Sequence, residues 1–111
     1  MGTPMIDFAV REAKFVVDGP MAICRFGSAC SMSKQCKIGN VVLASKGGFI
    51  VQTDIDKLHD ADNDELPYKI SDLAKPDDTL IKHMDLHLRN STEEGNYKQG
   101  LLATSDSFYN T

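Results

Sequence analysis

Apolar and polar positions alternate near the start of the chain. Ile6, Phe8 and Val10 recur every second residue, the spacing of a half-buried strand. The stretch Arg11-Glu12-Ala13-Lys14 suits a helical turn equally well, so residues 5–17 read either way. Phe15-Val16-Val17 is β-prone and runs into Asp18-Gly19-Pro20, a turn sequence. Met21 to Phe26 then reads as the return strand of a first hairpin.

Residues 27–40 carry Gly27, Ser28, Ser31, Ser33, Gly39 and Asn40 and read as a loop. Val41-Val42-Leu43-Ala44 is a short apolar run. Ser45-Lys46-Gly47-Gly48 is a turn, and Phe49 to Thr53 is rich in β-formers, which predicts a second hairpin. Residues 54–66 are acidic and end at Leu66-Pro67, where the residue before proline is pushed out of helical geometry.

Asp77 or Asp78 can cap a helix running to about Arg89. Leu80, Ile81, Met84 and Leu88 form its apolar face, and Lys82, Asp85 and Arg89 lie opposite. Residues 91–111 are polar apart from Leu101-Leu102 and Phe108-Tyr109. The pattern therefore predicts an α+β domain over residues 1–90, with two antiparallel β-hairpins forming a small sheet and one C-terminal amphipathic helix. A polar arm or tail follows at 91–111.

Composition adds limits. The 111 residues are 41% hydrophobic and 25% charged, an ordinary globular balance. A net charge of −4 and the lack of any basic cluster exclude a nucleic-acid binder and leave a basic protein surface as the better partner. No apolar run is long enough to span a membrane. Met1 to Asp7 does not open like a signal peptide, which points to the cytoplasm.

Three groups can carry chemistry. Cys24, Cys30 and Cys36 are five residues apart, wider than the spacing of a zinc knuckle. His83 and His87 are four apart on the predicted helix, so with two of the cysteines they complete a Cys2His2 set. Zinc is the one cofactor these residues suggest; as plain thiols and boundary histidines they need none. Asp60, Asp62 and Asp64 begin like a calcium loop. Its sixth and twelfth positions hold Glu65 and Ser71 in place of glycine and glutamate, which removes calcium. Asp60, Asp62, Asp64 and Glu65 then form a solvated face able to dock a partner. There is no nucleophile elbow, phosphate loop or dinucleotide fingerprint, so the residues assign no catalytic group.

Residues 15–31, FVVDGPMAICRFGSACS, resemble the opening segment of the PAAR-like spike-tip proteins of contractile injection systems. The matching residues are Phe15, Val16, Val17, Gly19, Met21, Cys24, Phe26, Gly27, Ala29 and Ser31. The resemblance implies a structural role at the point of a phage-tail or secretion spike, in a homo-oligomer or on a trimeric β-structure.

The expectation is thus a non-enzymatic structural or assembly protein, made in the cytoplasm and incorporated into a virion or secretion apparatus. The alternative is a small acidic binding module or inhibitor of a host protein, of the phage or mobile-element type. A metal- or thiol-dependent enzyme ranks third.

Overall fold

The computed structural model describes residues 3–58 and 66–106. The chain divides into two compact units, Met1–Cys30 and Ser31–Thr111. Each is described by itself.

The first unit is built on helix α1, Thr3–Val16. Pro4 sits in the first turn, where its missing N–H costs nothing. Arg11 Nε donates to Asp7 at 2.9 Å one turn away, and Val17 N donates to Ala13 O at 2.9 Å. The strand reading of this segment, and with it the first hairpin, is not what forms. Ile6, Val10, Ala13 and Val17 also recur at helical spacing, and good helix formers fill the positions between them. Gly19 then takes a φ of 115°, a conformation that only glycine adopts cheaply. Residues 18–30 have no regular secondary structure and no backbone hydrogen bond among the described residues.

The second unit holds strands β1 (Val41–Leu43), β2 (Gly48–Thr53), β3 (Tyr68–Ile70), β4 (Tyr97–Gln99) and β5 (Leu102–Ser105), with helices α2 (Ile55–Leu58) and α3 (Asp78–Ser91). β1 pairs with β4 in parallel, Val41 opposite Tyr97. A second sheet has the order β3-β2-β5. In it β2 is antiparallel to β3, with Val51 opposite Ile70, and parallel to β5, with Phe49 opposite Ala103.

The second hairpin is therefore not a hairpin. Both strands exist, but they join different sheets. Gly47 marks the divergence: its φ is +96°, and Ala74 O lies 2.4 Å from where a β-carbon would stand. The chain crosses there because Gly48 N and Ala74 N each donate to the other residue's carbonyl, at 2.9 and 2.8 Å. Parallel pairing needs long crossovers. These are supplied by the acidic stretch, β3 and α3.

α3 starts where Asp77 accepts a 2.8 Å hydrogen bond from Leu80 N, and ends where Thr92 N donates to Leu88 O. Leu80, Ile81, Met84 and Leu88 are its half-buried positions, and the helix packs on β1. Asp85 is half-buried too and turns toward β4, not toward solvent as a simple wheel suggests. The expected polar tail is also different: residues 97–105 supply β4 and β5. Leu43 is the buried apolar side chain of the described residues.

Candidate functional site

Three groups of polar residues remain once the framework is drawn. The first joins α3 to β4. The Asp85 Oδ1 atom accepts from Tyr97 Oη at 2.6 Å, from Arg89 Nε at 2.9 Å and from the Gln99 amide. The Arg89 guanidinium lies 5.7 Å from the Tyr97 ring centroid, and Ser45 Oγ donates to the far side of Gln99 at 2.9 Å. The Tyr97 hydrogen bond, then the Arg89 one, holds the Asp85 carboxyl below its usual value of 3.8. Burial, and then the bond to Asp85, pushes the Tyr97 phenol above 10.0. Every member is engaged within the fold, so the group acts as a clasp.

The second lies at the carboxyl ends of the parallel strands β2 and β5, where open α/β sheets place their ligand crevices. Asp106 accepts from Thr53 N at 3.0 Å and from Thr53 Oγ1 at 3.2 Å. The adjacent Asp54 is only 5% exposed and pairs with Lys69 Nζ at 3.2 Å. These carboxylates already hold partners, so they frame the strand ends.

The third is in the first unit. Arg11 pairs with Asp7 and Arg89 with Asp85, each one helical turn away. Arg25 has no acidic residue at that spacing, is exposed, and makes no hydrogen bond or ion pair among the described residues. Gly27 and Ser28 follow it, also exposed, with nothing within 4 Å of where a Gly27 β-carbon would stand. A guanidinium fork, a hydroxyl and backbone N–H groups are the kinds of donor that a phosphate or carboxylate takes. The sequence reading passed over Arg25 and Ser28. The available signal was the contrast among the three arginines, two with an i−4 aspartate and one without.

The residues singled out from sequence fall elsewhere. Cys24 and Cys30 are exposed and Cys36 is half-buried, all as free thiols. His83 and His87 lie on exposed positions of α3. Among the described residues, no group of three or more His, Cys, Asp or Glu is placed to share a metal. Asp60, Asp62, Asp64 and Glu65 lie outside the described residues. No helix among the described residues is long and apolar enough to cross a membrane.

Comparison with known proteins settles the family. The family model described as the phosphorylase superfamily matches residues 1–111. Among solved structures, one from a structural and catalytic analysis of two uridine phosphorylases of the oomycete Phytophthora capsici is similar. It has a TM-score of 0.80 and 31% identity over 98% of this chain and 42% of that one. The chain thus spans under half the length of that relative. No curated protein matches.

These findings overturn the spike-tip resemblance and the non-enzymatic structural role drawn from it, together with its incorporation into a virion or secretion apparatus. They equally remove the phage-type inhibitor. The physical reason is visible in residues 15–31. Phe15 and Val16 end a helix, and Met21 to Phe26 has no strand partner among the described residues, so the shared letters are not a shared hairpin.

Proposed function

We infer, since this chain belongs to the phosphorylase superfamily, that it supplies part of a site where inorganic phosphate cleaves the glycosidic bond of a nucleoside. A phosphate oxygen forms a bond to the anomeric carbon of the sugar as the carbon–nitrogen bond to the base breaks. The base leaves with the bonding electron pair and takes up a proton. The exchange is redox-neutral and its co-substrate is the phosphate itself. Uridine is the first nucleoside to try, because the similar solved structure is of a uridine phosphorylase.

The family match over the whole chain carries this reading. Arg25, Gly27 and Ser28 give it a place. A phosphate has to be held by donors facing its oxygens, and Arg25 is the arginine with its fork uncommitted among the described residues. Ser28 adds a hydroxyl donor three residues on, and Gly27 lets the backbone approach closely.

The test has two parts. Phosphate titrated into the protein and followed by phosphorus NMR gives a dissociation constant. Arg25→Ala is expected to weaken it by about 10–100-fold, the loss of charge-assisted hydrogen bonds worth roughly 1.5–3 kcal/mol. Uracil release from uridine, followed by absorbance, is expected only when phosphate is present. Phosphate affinity unchanged by Arg25→Ala would remove the site. Nucleoside cleavage that proceeds equally without phosphate would remove the reaction.

A further inference from the structure

Residues 31–40 of the second unit belong to no helix or strand, yet the loop is held by its own hydrogen bonds. They form two successive turns. In the first, Cys36 N donates to Ser33 O at 3.2 Å, and Ser33 Oγ accepts from Gln35 N at 3.2 Å. In the second, Asn40 N donates to Lys37 O at 3.1 Å, and Asn40 Oδ1 accepts from Lys37 N at 2.9 Å. Gly39 holds a φ of 92° at the third position of that turn, where glycine is favoured. Asn40 Nδ2 donates to Asn96 Oδ1 at 3.2 Å and ties the loop to the residue before β4.

The side chains on these turns do not face the protein. Met32 is 101% exposed and Ile38 107% exposed, more than any other large apolar side chain among the described residues. Lys34 and Lys37 are exposed beside them, and neither ammonium group makes a hydrogen bond or ion pair among the described residues. No carboxylate is close in sequence. Asp18 and Asp54 bracket a stretch that holds Arg25, Lys34, Lys37 and Lys46 and no acidic residue, in a chain of net charge −4. An anionic surface therefore repels most of this chain and attracts this loop.

We propose that the loop 31–40 seats the protein on an anionic lipid surface, with Met32 and Ile38 entering the interfacial layer and Lys34 and Lys37 among the headgroups. Charge complementarity sets the sign of the partner, and size sets its kind. A stable protein interface takes roughly 20–30 residues from each side, and this loop has ten. A bilayer takes up apolar side chains one at a time, and each lysine near it adds to the attraction. The lysine stems can lie along the apolar side chains while their charges stay at the headgroups. Two apolar side chains bury less than one acyl chain does, so the attachment is weak and reversible. This role goes beyond the reaction proposed above and does not depend on it.

The experiment sediments the full 111-residue chain with vesicles of phosphatidylcholine containing phosphatidylserine, and with vesicles of phosphatidylcholine alone. Binding is expected to the anionic vesicles only, and to fall as salt is raised. Lys34→Gln and Lys37→Gln are each expected to weaken it about fivefold, the factor for one basic residue near an anionic surface. Ile38→Ser is expected to weaken it about tenfold or more, by losing an apolar side chain from the interface. Lys82→Gln, on the exposed side of α3, changes the net charge equally and is expected to leave binding unchanged. All four positions are exposed, so the variants keep the fold.

No sedimentation with the anionic vesicles would overturn the proposal, and so would equal sedimentation with phosphatidylcholine alone. Binding that Lys82→Gln weakens as much as Lys34→Gln would overturn it too, because net charge and not the loop would then be responsible. Two other occupants have their own signatures. Self-association without vesicles, lost in Ile38→Ser, would give the loop to a second copy. Binding of soluble polyglutamate would give it to an acidic polypeptide. Either one, found in place of vesicle binding, removes the lipid surface.

Discussion

At the residue scale, the most connected side chain is Asp85, whose single oxygen Oδ1 gathers Tyr97, Arg89 and Gln99. Its carboxyl is held below 3.8, so the unfolded chain takes up the proton first as pH falls. The stability it contributes is therefore complete above about pH 3.8 and disappears as pH drops through the lower folded value. Carbon NMR of the Asp85 carboxyl is expected to titrate below 3.8, and to return toward that value in Tyr97→Phe. Tyr97 has the opposite sign: its contribution is present below pH 10.0 and fades as pH rises beyond it. An Asp85 titration unmoved by Tyr97→Phe would show that this hydrogen bond is not the main cause. Sequence alone had put Asp85 opposite the apolar face of its helix. What turned it inward was β4, whose Tyr97 and Gln99 offer two donors to one carboxylate.

At the element scale, two short segments decide the arrangement of the second unit. Gly47 combines a φ of +96° with a carbonyl 2.4 Å from its absent β-carbon. Gly47→Ala is expected to lower stability by more than the roughly 1–2 kcal/mol of a left-handed residue alone, since Ala74 must also move. Urea unfolding measures it, and a shift below 0.5 kcal/mol would mean that the crossing is not rigid. Asp77 is the second. Removing its cap with Asp77→Ala is expected to cost about 1 kcal/mol and to fray the first turn of α3. Circular dichroism and amide exchange at Leu80 would report it. The α3 segment was legible because capping, dipole charge and a four-residue apolar stripe all agreed. α1 was not, because Ile6, Phe8 and Val10 fit period two while Ile6, Val10, Ala13 and Val17 fit the helix. Only a continuous backbone ladder resolves such a tie.

At the scale of the whole molecule, the described residues bury a single apolar side chain, Leu43 of β1. Leu43→Ala is expected to cost about 2–5 kcal/mol and, with so little else buried, to remove the cooperative unfolding of the second unit. A sharp transition retained in urea would show that the core lies elsewhere. Parallel strands are ordinarily covered on both faces, and β1-β4 and β2-β5 are parallel pairs. By itself the sequence determined the local signals: a helix capped at Asp77 or Asp78 and running to about Arg89, β-prone runs at 41–44 and 49–53, and a turn at 45–48. Each of these depends on neighbours a few residues away. Only the tertiary structure decided that Val41–Leu43 pairs with Tyr97–Gln99 rather than with β2, and that the polar residues 97–105 are strands. It also decided that, among the described residues, Arg25 and not Arg11 or Arg89 has its fork uncommitted. Those choices rest on contacts between residues tens of positions apart, whose free energy comes from the partner as much as from the segment itself.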